Sequence, residues 1–204
     1  MRSISITFPI TLLVTILAAW IFSSTLVHAV LYAPEGALAL PAHAAQKPAF
    51  SAAVNKTLPA HLIIPSLKIN AAIQEVGLNA LGNIMAPSNF TDVAWYDQGT
   101  IPGKVGSAVI DGHVDNGLGL AGVFKHLSDI KVGDDVYVQT NAGTKLHFVV
   151  TDIETYSYQN VPTQKLFAQD GSAHLNLITC EGTWVKSGDT YDHRLVVYTH
   201  LVSS

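Results

Sequence analysis

The chain has 204 residues and a net charge of −4 at neutral pH, and only 13% of its residues are charged. That length suits one globular domain with extensions rather than two full domains. No Lys/Arg run or basic cluster occurs, so the electrostatic footprint of a nucleic-acid binder is absent and none is expected as a partner.

From Ile4 to Ala33 no side chain is charged, with His28 counted as neutral. A helix needs about 20 apolar residues to cross the hydrocarbon layer. The run, with its core at Phe8–Phe22, therefore predicts one N-terminal transmembrane helix within residues 1–33. Arg2 and the terminal amine precede it and Glu35 follows it, which orients the N-terminus inside and the rest of the chain outside. Tyr32 falls where the outer interface favours aromatic rings. Ala42-His43-Ala44 has the small-x-small pattern of a cleaved signal peptide, but it lies beyond the usual range of about 15–30 residues. Either reading exports the remainder; the expectation is a single-pass membrane protein with an extracytoplasmic domain.

Residues 34–60 are rich in Ala and Pro without sustained periodicity and read as a linker. The domain then runs from 61 to 204. His61–Ile69 reads as a strand broken or bulged at Pro65, because proline removes a ladder donor. Ala72–Gly77 is a second short candidate. Gly106–Asp111 is apolar and bounded by glycine, as a buried strand is. Leu120–Leu127 predicts one or two helical turns. Asp135–Thr140 and Lys145–Ile153 read as a hairpin around Gly143. Pro162 suits the first turn of a short helix through Phe167. His174–Cys180 and His193–Leu201 are further strands. Many short β-branched runs with few helices predict an all-β sandwich or barrel.

The chain holds one cysteine and nine histidines. A single cysteine in an exported chain cannot pair within its own molecule; it is a buried passenger, an intermolecular link or a reactive thiol. Cys180 closes an apolar run and is followed by Glu181-Gly182, which suits an accessible thiol at a strand end. His113 leaves the Val109-Ile110 strand beside Gly112. Arg194 stands among Leu and Val, where a permanent cation needs a partner or a cleft edge. A thiolate nucleophile, an imidazole that handles the leaving-group proton and a fixed cation at the oxyanion together suit acyl transfer. Asp129, Asp134, Asp135 and Asp152 lack calcium-loop spacing, and no further ligands stand at zinc spacing around His113 and Cys180, so neither metal nor cofactor is expected.

Leu177-Ile178-Thr179-Cys180 resembles the Leu-x-Thr-Cys motif of the sortase family. Gly112-His113 lies about 67 residues before the cysteine and Arg194 about 14 after it, in that family's order of His, Cys, Arg. Asp192–Tyr198 resembles its arginine strand. The short step from Cys180 to Arg194, with Gly112–Asp115 and Thr179–Gly182, is most similar to sortase classes E and F. The resemblance covers about residues 60–204 and implies an eight-stranded sortase-type β-barrel with short helices. It implies cleavage of a C-terminal sorting signal such as Leu-Pro-x-Thr-Gly through a cysteine thioester. The acyl group then passes to an amine on a peptidoglycan precursor or a pilin. Cys180 is the implied nucleophile, His113 the general acid/base, Arg194 the substrate and oxyanion clamp, and Thr179 a supporting residue. Loops 79–103 and 156–171 are the implied groove walls, with Val161 and Pro162 lining them. Two other readings use the same residues: a cysteine hydrolase in which water resolves the acyl-enzyme, and a tethered β-domain without catalysis. The Ser-His-Gly-Cys motif of L,D-transpeptidases is absent.

Overall fold

The computed structural model describes residues 57–116 and 118–203. The expected membrane helix and residues 34–56 of the expected linker lie outside them. Among the described residues no helix is long and apolar enough to cross a membrane.

Eight strands close into a barrel: β1 (Pro59–Ile64), β2 (Ile69–Val76), β3 (Val93–Tyr96), β4 (Gly106–Gly112), β5 (Asp135–Thr140), β6 (Lys145–Ser157), β7 (Ala173–Val185) and β8 (Thr190–Ser203). Their order around the barrel is β1-β2-β3-β4-β7-β8-β6-β5. The pairs β2–β3 and β4–β7 are parallel. Among the described residues, closure leaves no open edge for another chain to pair with. Among the described residues one α-helix occurs, α1 (Thr163–Leu166), a single turn opened by Pro162, as the proline predicts.

Several strands differ from the expected ones for local reasons. Pro65 does not bulge a continuous strand. It ends β1 and opens a 3₁₀ turn, Pro65–Leu67, after which the chain reverses and Ile64 pairs with Ile69. The expected strand at 72–77 is the second half of β2. Residues 120–127 form turns, and only Leu127–Asp129 is 3₁₀ helix. Phe124 and Leu127 are still driven into the core, with Val123 packed against it. β3 lies inside the segment read as a loop; all four of its residues are buried, so no alternation marks it.

Alternation along the central strands sorts side chains into two cores. Ala108, Ile110, Leu175, Leu177, Leu195 and Val197 point into the barrel with Trp95 and Phe148. Val109, Ile178, Val196 and Tyr198 point outward and pack with Tyr96, Leu166, Val161 and Phe167. Each fully buried aliphatic or aromatic side chain contributes about 1.5–3 kcal/mol. The second, external core pins the β6–β7 connection over one face of the barrel, and that face carries the candidate site.

Candidate active site

Strand order brings the three expected residues together. β4, β7 and β8 are consecutive in the barrel. Cys180 on β7 pairs directly with Arg194 on β8. On the other side Asp111 of β4 pairs with Ile178, and the parallel register carries the chain on to His113 beside Cys180. Thr179 points into the barrel and is buried; its Oγ1 donates to the Gly112 carbonyl at 2.7 Å. It thereby clamps β7 to β4 at the residue before each of Cys180 and His113. Val161 packs against the external core, and the Pro162 carbonyl accepts the first bonds of α1.

Cys180 is not at a strand end. β7 continues to Val185, and the ladder with β8 is irregular between Glu181 and Trp184. Gly182 sits in that bulge at φ +88°, and a Cβ there would meet the Asp192 carboxylate at 2.1 Å. Only glycine fits this position. The Asp192 carboxylate then caps the bulge, accepting from the Thr183 N–H at 2.7 Å.

His113 is 7% exposed. Its Nε2 lies 3.0 Å from the Pro87 carbonyl, and its ring is tilted against Phe90 at 4.9 Å between centroids. A carbonyl only accepts, so Nε2 carries the proton and Nδ1 is the proton acceptor of the neutral ring. Its backbone is also enclosed: the His113 carbonyl accepts from the Phe124 N–H at 2.9 Å. A Cβ on Gly122 would stand 2.2 Å from that carbonyl oxygen.

Arg194 is 3% exposed. Nη1 donates to the carbonyls of Tyr191 at 2.9 Å and His193 at 2.8 Å, and Nη2 donates to Thr190 Oγ1 at 2.7 Å. The Tyr158 ring centroid lies 5.8 Å from its Cζ. All three hydrogen-bond acceptors are uncharged, so the buried guanidinium is oriented by neutral groups rather than by a carboxylate. Burial pushes the Cys180 thiol up to about 11; Arg194 and the backbone N–H of Tyr191 oppose that rise, and Asp111 and Asp115 add to it. The resting thiol is therefore protonated at neutral pH, and its activation needs a proton acceptor close by.

Two acidic residues and one tyrosine of this site were not singled out from the sequence. Asp111 points outward from β4 on the face of Cys180, and burial raises its carboxyl to about 6 against the pull of His113 and Arg194. An acid inside an otherwise buried apolar strand, two residues before the histidine, was the available signal. Asp115 accepts from Tyr191 Oη at 2.6 Å. Contacts of this kind, between a strand exit and the start of a strand far along the chain, leave no periodicity to read. Farther along the same face, about 13 Å from Cys180 at the strand rise per residue, Asn176 begins a cavity of about 280 Å³. Lys165, Asp152, His174 and Asp170 also line it. Its carboxylates are already paired, Asp152 with Lys165 and Asp170 with His174. Among the described residues no three His, Cys, Asp or Glu side chains converge as metal ligands.

The Sortase domain family model matches residues 62–202. A comparison with curated proteins finds no match. Among solved structures the fold is similar to sortase A from Corynebacterium diphtheriae, with a TM-score of 0.57 and 24% identity over 73% of this chain and 62% of that one. It is also similar to sortase C1 from Streptococcus agalactiae, solved in complex with MTSET, at TM-score 0.55 and 24% identity over 71% and 66%. Sortase C-1 from Actinomyces oris gives TM-score 0.54 and 27% identity over 71% and 73%. The match spans a little under two thirds of the first two of these proteins, and their likeness is one of fold. The family match takes in every strand that carries the candidate site, and it covers well over half of the chain: this protein belongs to the sortase family.

Proposed function

We propose that the chain is a cysteine transpeptidase of the sortase type, with Cys180, His113 and Arg194 as its catalytic residues. The observation that carries this reading is the cross-strand pair Cys180–Arg194 with His113 leaving the parallel neighbour strand beside it. The Cys180 thiol passes its proton to Nδ1 of His113 as the sulfur attacks the scissile carbonyl of a sorting-signal peptide. Arg194, freed from part of its cradle, stabilises the oxyanion. The imidazolium returns the proton to the departing amine, leaving a thioester on Cys180. An acceptor amine then attacks the thioester, His113 takes the proton of that amine, and the thiolate leaves to be reprotonated. The extended peptide runs along the outward side of β4 and β7 beside the β6–β7 connection, where Val161 and Pro162 lie.

The finer parts of the reading rest on sequence. The apolar run of residues 1–33 tethers the domain outside the membrane. The short step from Cys180 to Arg194 favours class E or F. The substrates are proteins with a Leu-Pro-x-Thr-Gly-like C-terminal signal, and the acceptor is an amine of a peptidoglycan precursor or a pilin. The test is to mix the chain with a panel of such peptides, with and without a glycine amine. The expected product carries the amine in amide linkage; release only as the free acid assigns a hydrolase instead.

A further inference from the structure

Tyr191 touches the surroundings of all three candidate residues at once. Its Oη donates to Asp115 Oδ2 at 2.6 Å, and Asp115 lies two residues beyond His113 on the strand exit. Its carbonyl accepts from Arg194 Nη1 at 2.9 Å. Its backbone N–H is directed at the Cys180 sulfur. Trp184 fixes the ring edge-on, at 5.4 Å and 78°. Asp115 is held in turn by its bridge to Ala121 and by Lys125, whose Nζ is 3.9 Å away. The adjacent Thr190 is buried and completes the Arg194 cradle.

We propose that Tyr191, through its bond to Asp115, is a positioning residue that holds the His113 strand exit, the Arg194 cradle and the Cys180 sulfur in one arrangement. The link joins the exit of β4 to the β7–β8 hairpin, two segments about 76 residues apart whose spacing sets the Cys180–His113 separation. A hydroxyl donor on a carboxylate is short and directional, so it transmits position better than an apolar contact. Burial and the carboxylate both push the Tyr191 hydroxyl upward, so it remains a donor throughout the working pH range. Loss of the link lets the hairpin swing, which uncovers the thiol to small reagents while misplacing it for acyl transfer; misplacement by about 1 Å costs up to about 100-fold in rate.

The inference rests on the transpeptidase reading for its kinetic consequence but not for its structural one, so two readouts are needed. The full chain and its Tyr191→Phe, Asp115→Ala, Asp115→Asn and doubly substituted Tyr191→Phe/Asp115→Ala forms are compared in iodoacetamide alkylation of Cys180 and in turnover of a sorting peptide. Asp115→Ala and Asp115→Asn lose the same charge, but only asparagine still accepts from the hydroxyl. Tyr191→Phe and Asp115→Ala are expected to alkylate about 3–10-fold faster and to lose about tenfold in kcat with KM nearly unchanged. Asp115→Asn is expected to recover most of the kcat, and the double variant to be no worse than the worse single one. Additive losses, equal behaviour of Asp115→Ala and Asp115→Asn, or a lower Tm with unchanged kcat and alkylation would overturn the proposal. Should no peptide react even with the unaltered chain, the transpeptidase reading fails, and the alkylation series alone decides the positioning role.

Discussion

The charge balance around one sulfur decides the chemistry of this site. Burial and two carboxylates disfavour the Cys180 thiolate, and one oriented guanidinium favours it. Asp111 enters this balance twice. Its carboxyl is raised by burial from the ordinary 3.8 to about 6, so the folded chain binds that proton more tightly than the unfolded chain. Stability therefore falls as pH rises from about 4 to 6, and above that range the cost of the buried charge is fully present. Asp111→Asn removes the cost: the variant is expected to be more stable at pH 8 by about 1–3 kcal/mol, with the difference vanishing below about pH 4. Chemical denaturation across that pH range checks this, and a variant less stable at pH 8 contradicts it. The same substitution removes a negative charge that raises the thiol, so the pH profile of Cys180 alkylation is expected to move to lower pH. Cys180, His113 and Arg194 were legible because a lone thiol, a glycine-flanked histidine and an arginine in an apolar strand are each costly without a purpose. Asp111 has the same signature and passed unread beside His113. Thr190 and Tyr191 open β8 and act through a hydroxyl, a phenol and a backbone carbonyl whose partners lie elsewhere in the fold, which residue types alone do not reveal.

Paired strands hold these residues in register, and two clamps on them matter most. The Thr179 hydroxyl bonds the Gly112 carbonyl across the parallel β4–β7 pair. Thr179→Val keeps the shape and strands a buried carbonyl, so a loss of about 1–3 kcal/mol is expected, together with lower activity because the clamp adjoins both Cys180 and His113. Unchanged denaturation and unchanged turnover would contradict that assignment. Gly122 is the second clamp, with its backbone pressed against the His113 carbonyl. Gly122→Ala forces the two segments apart; the expected result is a drop in Tm with slower peptide turnover, and a normal Tm would show that the turn yields freely. At this scale the strands with clear alternation or apolar runs were legible: β4, the β5–β6 hairpin, and the cores of β7 and β8. β3 was not, because all four of its residues are buried and the strand is short. Pro65 was read as a local break, whereas the chain used it to reverse direction, since a proline-led 3₁₀ turn leaves Ile64 and Ile69 free to pair.

Over the whole molecule, closure does two jobs. It removes strand edges, and it turns the outward faces of β4, β7 and β8 into one surface roofed by the β6–β7 connection. The external core of Tyr96, Val109, Leu166, Ile178 and Val196 anchors that roof. The all-β barrel was legible from the run of short strands and from the family motif. Strand order was not, because the parallel pairs β2–β3 and β4–β7 join segments with long connections that no local pattern encodes. That order places a cysteine and an arginine on adjacent strands and a histidine just past the end of the neighbouring one, from segments about 67 and 14 residues apart. The most direct test of the central claim is the intact mass of the chain after brief mixing with a Leu-Pro-x-Thr-Gly peptide, with Cys180→Ala alongside and the adduct mapped by proteolysis. The account predicts a thioester adduct on Cys180 that is absent from the variant and disappears when an amine is added. No adduct with any sorting peptide, or one that persists in Cys180→Ala, would contradict it.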